Sequence, residues 1–117
     1  LSQAPGVVLG NVHVMAGVPA IFREMLEGLR PRLRGGSPLL AHAFRVPVPE
    51  GDLAGTLGTL AAAHPGVAIG CYPFYRGGLG ATVILRSADR AALAAAAAAA
   101  RDALGVLTGA IEETPPA

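Results

Sequence analysis

Residues Gly17, Val18 and Pro19 sit where an apolar alternating run gives way to a helical pattern, in VHVMAGVPAIFREM from Val12 to Met25. A strand, a glycine turn and a helix with proline in its first turn aim free backbone N–H groups, and the positive end of the helix, at whatever lies above them. That arrangement suits a phosphate or another anion. The same three residues also suit a plain strand-to-helix turn that simply needs glycine. Four other sets could carry chemistry. His13, His42 and His64 are far apart, with no two at i,i+4 spacing, so each reads as an ordinary half-exposed histidine and no metal site is expected. Glu50 and Asp52 could hold Mg²⁺ or exchange protons, but they flank Gly51 at a helix entrance, where capping accounts for them. Arg76-Gly77-Gly78-Leu79-Gly80 could clamp a phosphate, or simply close a loose β-hairpin. Cys71 has no histidine near it in sequence to generate a thiolate. The reading therefore assigns no catalytic residue and no metal ligand, and names Gly17, Val18 and Pro19 as the cofactor-binding candidates.

Composition narrows the classes. The 117 residues are 52% hydrophobic with no Trp, so the core must be built from Leu, Val, Ile and Ala. The net charge of +1 argues against wrapping a nucleic acid. All nine basic residues are Arg, which removes Schiff-base chemistry and a P-loop lysine from this chain. One cysteine cannot staple the fold, and a reducing cytoplasmic setting fits. No stretch is long and apolar enough to span a bilayer, no signal peptide is evident, and the start at Leu1 reads as a piece of a longer protein or a trimmed one.

The elements that would position these residues follow from periodicity. Val7 to Leu9 and Val12 to Met15 read as strands joined by Gly10-Asn11. A helix from Pro19 carries Ile21, Phe22, Met25, Leu26, Leu29 and Leu33 as one apolar stripe, and Pro31 ends or kinks it. Gly35-Gly36-Ser37-Pro38 is the expected lobe boundary. Beyond it come a strand over Leu39 to Val48, with Pro47 marking an edge, and a helix capped by Asp52 and stopping before His64-Pro65-Gly66. Gly55 and Gly58 weaken that helix unless they allow close packing on a sheet. Strands over Val67 to Tyr75 and Ala81 to Arg86 follow, then an Ala-rich helix from about Ala88 to Leu107, capped by Ser87 or Asp89. The expected architecture is α/β (α+β): a terminal hairpin and helix in residues 1–36, a three-stranded β-α-β-β-α lobe in 37–109, and a flexible tail in 110–117.

Asn11 to Pro19, with the amphipathic helix after it, resembles the end of the molybdopterin-binding domain of CinA-like proteins. These are the competence/damage-inducible protein A family and relatives, among them the molybdopterin-binding domain fused to some FAD synthases. The runs Glu50-Gly-Asp-Leu-Ala54, His64-Pro-Gly-Val-Ala-Ile-Gly-Cys-Tyr-Pro73 and Val83-Ile-Leu-Arg86 are similar to the α+β lobe that follows that domain. The resemblance runs from about Gly6 to Leu107 and lies in the order of the pieces more than in any one motif. It implies a doubly wound parent domain that binds a pterin or nucleotide pyrophosphate, and in some members hydrolyses ADP-ribose or FAD with a divalent metal. Gly17 and Pro19 match the family's Pro-Gly-x-Pro loop; Ala16 stands where many members have proline, and Ile21 where many have glutamate. The family's glycine-, threonine- and aspartate-rich motif would lie upstream of Leu1.

Taken with the resemblance, the chain reads as the C-terminal portion of such a protein, inactive alone. Its parent would be a metal-dependent nucleotide pyrophosphatase or a molybdopterin or nucleotide binder using Mg²⁺. The expected partners are the N-terminal part of the parent domain and a second copy of the chain, with no membrane and no nucleic acid. The alternative is a non-enzymatic dimerisation or docking module, since lone hairpins and exposed edges need cover. An RNA-binding KH-type reading lacks a Gly-x-x-Gly clamp between helices.

Overall fold

The computed structural model describes residues 6–117, so the first five residues of the 1–36 segment lie outside the described residues. The chain divides into two units, Leu1–Gly36 and Ser37–Ala117. In the first, β1 (Val7–Leu9) and β2 (Val12–Val14) pair antiparallel with Leu9 opposite Val12. Gly10 has φ 60°, and Asn11 does not share the positive angle. That places glycine at the first loop position, as a type II′ hairpin turn requires. Helix α1 (Pro19–Leu29) starts on its proline, and a 3-10 turn over Arg30–Arg32 contains Pro31. Proline disfavours α geometry at the residue before it, so the α-helix gives way there. No described residue of this unit is buried.

The second unit runs β3 (Leu40–Val46), α2 (Glu50–Ala63), β4 (Ala68–Phe74), β5 (Gly80–Ser87), α3 (Arg90–Leu107) and β6 (Glu112–Thr114). Its sheet order is β4-β5-β3-β6, with every neighbouring pair antiparallel. This is the split β-α-β arrangement of ferredoxin-like folds, an α+β architecture. Strand alternation sends His42, Phe44 and Val46 of β3, and Ala81, Val83 and Leu85 of β5, to one face. There they meet Leu53 and Leu60 of α2 and Leu93, Ala96, Ala97, Ala100 and Leu104 of α3. The small alanines let α3 lie close to the strands. Asp89 caps α3 by accepting from the N–H groups of Ala91 and Ala92, at 2.9 and 3.0 Å. Ser87 shapes the approach: its hydroxyl donates to the Gly66 carbonyl and accepts from the Asp89 N–H.

Several expectations change. The lobe has four strands rather than three, because residues 110–117, read from the sequence as a flexible tail, contain β6 paired with Ala43 to Arg45 of β3. Ile111 packs against the core and anchors that return. With β6 alongside it, β3 is an interior strand, and Pro47 sits just past its end, where no ladder hydrogen bond is lost. Helix α2 starts three residues earlier than a cap at Asp52 would allow. Pro49 holds the cap position without a side-chain bond, and Glu50 and Asp52 lie inside the first turn. Their charges face the positive end of the helix there, an effect worth about 0.3–1 kcal/mol. Gly55 and Gly58 are exposed, with open space where a Cβ would project, so close packing on the sheet is not their role.

Gly80 is the opposite case: a Cβ there would collide with the Val46 carbonyl oxygen and the Phe74 ring. Two substitutions separate the cases. Gly55→Ala should raise unfolding stability by about 1 kcal/mol, the helix-propensity difference. Gly80→Ala should lower it by about 1–3 kcal/mol through overpacking. Urea denaturation of the two variants measures both.

Candidate functional site

The bend at Gly17, Val18 and Pro19 follows from local sequence. Val18 is extended (φ −72°, ψ 121°) and takes the N-cap position of α1 with no side-chain cap. Pro19 has no N–H to leave unpaired. The first bond of the helix runs from the Phe22 N–H to the Val18 carbonyl at 2.8 Å. Among the described residues, the N–H groups of Ala20 and Ile21 meet no protein acceptor. The concavity of this unit, about 280 Å³, lies elsewhere: it is lined by Val7, His13, Met25 and Arg32 among others, and by none of Gly17, Val18 and Pro19. The Ala16 N–H just before the bend points to the Met25 sulfur at 3.4 Å.

In the second unit the fold joins residues that the sequence holds far apart. His42, read as an ordinary half-exposed histidine, is buried. Its ring stacks on Phe44 with centroids 4.9 Å apart, and its Nε2 lies 2.7 Å from Oε1 of Glu113 on β6. Arg101 of α3 grips the same carboxylate, donating from Nε to Oε2 at 2.9 Å and from a terminal nitrogen to Oε1. The Arg101 bonds, with a smaller contribution from His42, hold the Glu113 carboxyl down from 4.5 to about 2 against the opposing effect of burial. This cluster ties β3, β6 and α3 together through side chains. No sequence pattern pointed to it, since its members do not share one helix face or one strand.

The other candidates separate. His13 lies on β2, and His64 follows the end of α2. Cys71 faces the core side of β4, and burial, then the Glu50 charge, pushes its thiol up, away from the thiolate a nucleophile needs. Residues 75–79, Arg76 among them, form the β4–β5 loop, with Gly77 and Gly78 both at positive φ. Among the described residues, no three His, Cys, Asp or Glu side chains gather as a metal site would require. No helix of the described residues is long and apolar enough to cross a membrane.

The strand order and helix placement define the second unit as an α+β module of ferredoxin-like topology. Residues 38–108 match the family described as "FAD synthase, middle domain". That match takes in more than half of the chain, and the chain belongs to this family. It opens just before β3 and closes just after α3, so β6 lies beyond it. No curated protein and no solved structure matches.

The Glu113 cluster has a pH signature. The folded pKa is depressed, so the stabilisation is complete above the ordinary carboxylate value of 4.5 and is lost as pH falls toward about 2. Glu113→Gln should flatten the acid limb of a stability-versus-pH curve over that window and lower stability at pH 7. Thermal melts at several pH values would show this. An acid limb unchanged by the substitution would remove Glu113 from its cause.

Proposed function

We propose that this chain is the C-terminal portion of a CinA-like, molybdopterin-binding-type protein whose parent binds or hydrolyses a pyrophosphate-containing cofactor or nucleotide of the ADP-ribose, FAD or molybdopterin type. The supporting observation is membership of residues 38–108 in the FAD synthase middle-domain family. It joins the resemblance of Asn11 to Pro19 to the end of a molybdopterin-binding domain. In this reading the hairpin and α1 form the closing edge of the parent's doubly wound domain. The exposed apolar side chains of Val7, Leu9, Val14, Phe22 and Leu26 are then covered by that domain's other elements. The unpaired amides at the start of α1 face the ligand's pyrophosphate, with Gly17 allowing close approach and Mg²⁺ as the parent's divalent ion. The single free cysteine fits a reducing cytoplasmic setting.

A second reading, a non-enzymatic dimerisation module, draws on β4. Its outer edge has no partner strand among the described residues, and Pro73 interrupts only one end of it. Light scattering separates the two: a strictly monomeric, well-folded chain counts against dimerisation.

The enzymatic reading is tested on the full-length parent with Mg²⁺ and ADP-ribose or FAD, following AMP release and ligand binding. Gly17→Ala is a clean probe, because a Cβ at that position meets open space and should leave the melting temperature unchanged. A loss of binding of about tenfold or more would then report ligand crowding at the bend. Neither turnover nor binding in the wild-type parent would sink the proposal.

A further inference from the structure

One end of the sheet carries a cleft of about 430 Å³ that is lined wholly by residues of the second unit. Three segments meet there: the end of β3 at Arg45, Val46 and Pro47, the β4–β5 loop, and the α3–β6 connection from Gly109 to Glu112. We propose that this cleft binds a small organic phosphate, with the phosphate held by the glycine loop and Arg45 and a flat apolar body lying against the neighbouring walls. The proposal is independent of the pyrophosphate reading.

The loop supplies the first half of the argument. Gly77 and Gly78 have φ of 77° and 118°, angles that side-chain-bearing residues rarely adopt, so this wall of the cleft is bare backbone. The N–H groups of Gly77 and Leu79 find no protein acceptor among the described residues, while that of Gly78 closes the Arg76–Gly77 turn toward the Tyr75 carbonyl. Unpaired amides exposed on a concave turn are donors for an anion.

Arg45 supplies the second half. Its guanidinium carbon lies 3.4 Å from the centroid of the Phe74 ring, so the planar group is held flat on the aromatic face. Stacking leaves the edge of the fork, with its N–H donors, free for a bidentate acceptor such as phosphate. Its ionic neighbour, Glu112, stands 3.9 Å away with a largely exposed side chain, too far for a hydrogen bond. Glu112 is also the group that opposes an incoming anion.

The walls decide what the anion is attached to. Pro47, Leu79 and Ile111 present apolar surface, and a bare phosphate would leave it wet. The volume falls within the range of small-molecule sites, about 300–1,000 Å³. A phosphate ester of a flat ring fills both parts of the cleft.

The test is an amide-resolved NMR titration of the chain with phenyl phosphate and, separately, inorganic phosphate. Phenyl phosphate should shift Gly77, Gly78, Leu79 and Ile111 first and bind about tenfold or more tighter than inorganic phosphate. Arg45→Gln should weaken it about tenfold, Arg90→Gln on α3 should leave it unchanged, and Glu112→Gln should tighten it. The gain from Glu112→Gln is a result that damage to the fold does not produce. No localised shifts at millimolar phenyl phosphate, equal affinity for the two probes, an equal loss in Arg90→Gln, or weaker binding in Glu112→Gln would each overturn the proposal.

Discussion

Two helices cover only one face of a four-stranded antiparallel sheet, and the second unit is arranged around that limit. Alternation along β3 and β5 puts Phe44, Val46, Val83 and Leu85 under α2 and α3. The opposite face receives Ala41, Ala43 and Gly70, together with two arginine–aromatic pairs. Arg45 stacks on Phe74, and Arg86 reaches over Tyr72, donating to its hydroxyl at 3.2 Å. Long arginine stems thus shield aromatic surface that no helix covers, while their charged ends stay in water. The same limit explains the alanine run in α3: a helix that must lie close to a sheet carries small side chains on its buried face, here Ala96, Ala97 and Ala100.

The last strand is short, and three residues of ladder alone would hold it weakly. Ile111 contributes apolar burial, and Glu113 adds charge-assisted hydrogen bonds to Arg101 and His42. A buried histidine without a partner would cost free energy, so the carboxylate also satisfies His42. Strand β6 lies beyond the residues that match the FAD synthase middle-domain family, yet its side chains complete the helix-covered side of the sheet and its approach forms one wall of the cleft beside Gly77 and Gly78.

The first unit obeys a different economy. Its hairpin and helix are locally well specified, with glycine at the turn and proline at the helix start, but no described residue in it is buried. Local geometry without a core does not give independent stability. That is the physical ground of the proposal that the hairpin and α1 belong to a larger domain, while residues 37–117 have a core of their own.

Much of this was legible in the chain itself. Alternation gave β3, β4 and β5 to within a residue or two, and Asp89 stood out as a cap because capping depends on residues two and three positions away. Gly10, Gly77 and Gly78 marked turns for a similarly local reason. Other features had no local signature. Glu112–Thr114 looked like tail because a short polar strand exists only when a partner edge is present. His42 looked ordinary because its partner, Glu113, is 71 positions away. Glu50 displaced Asp52 from the helix start because Pro49 already held the extended conformation a cap needs. The amino-acid order therefore determined every element whose stabilising contacts lie within a few residues. Tertiary structure alone decided the fourth strand, the Glu113 tie and the cleft beside the glycine loop, because each depends on segments that meet only after the sheet has formed.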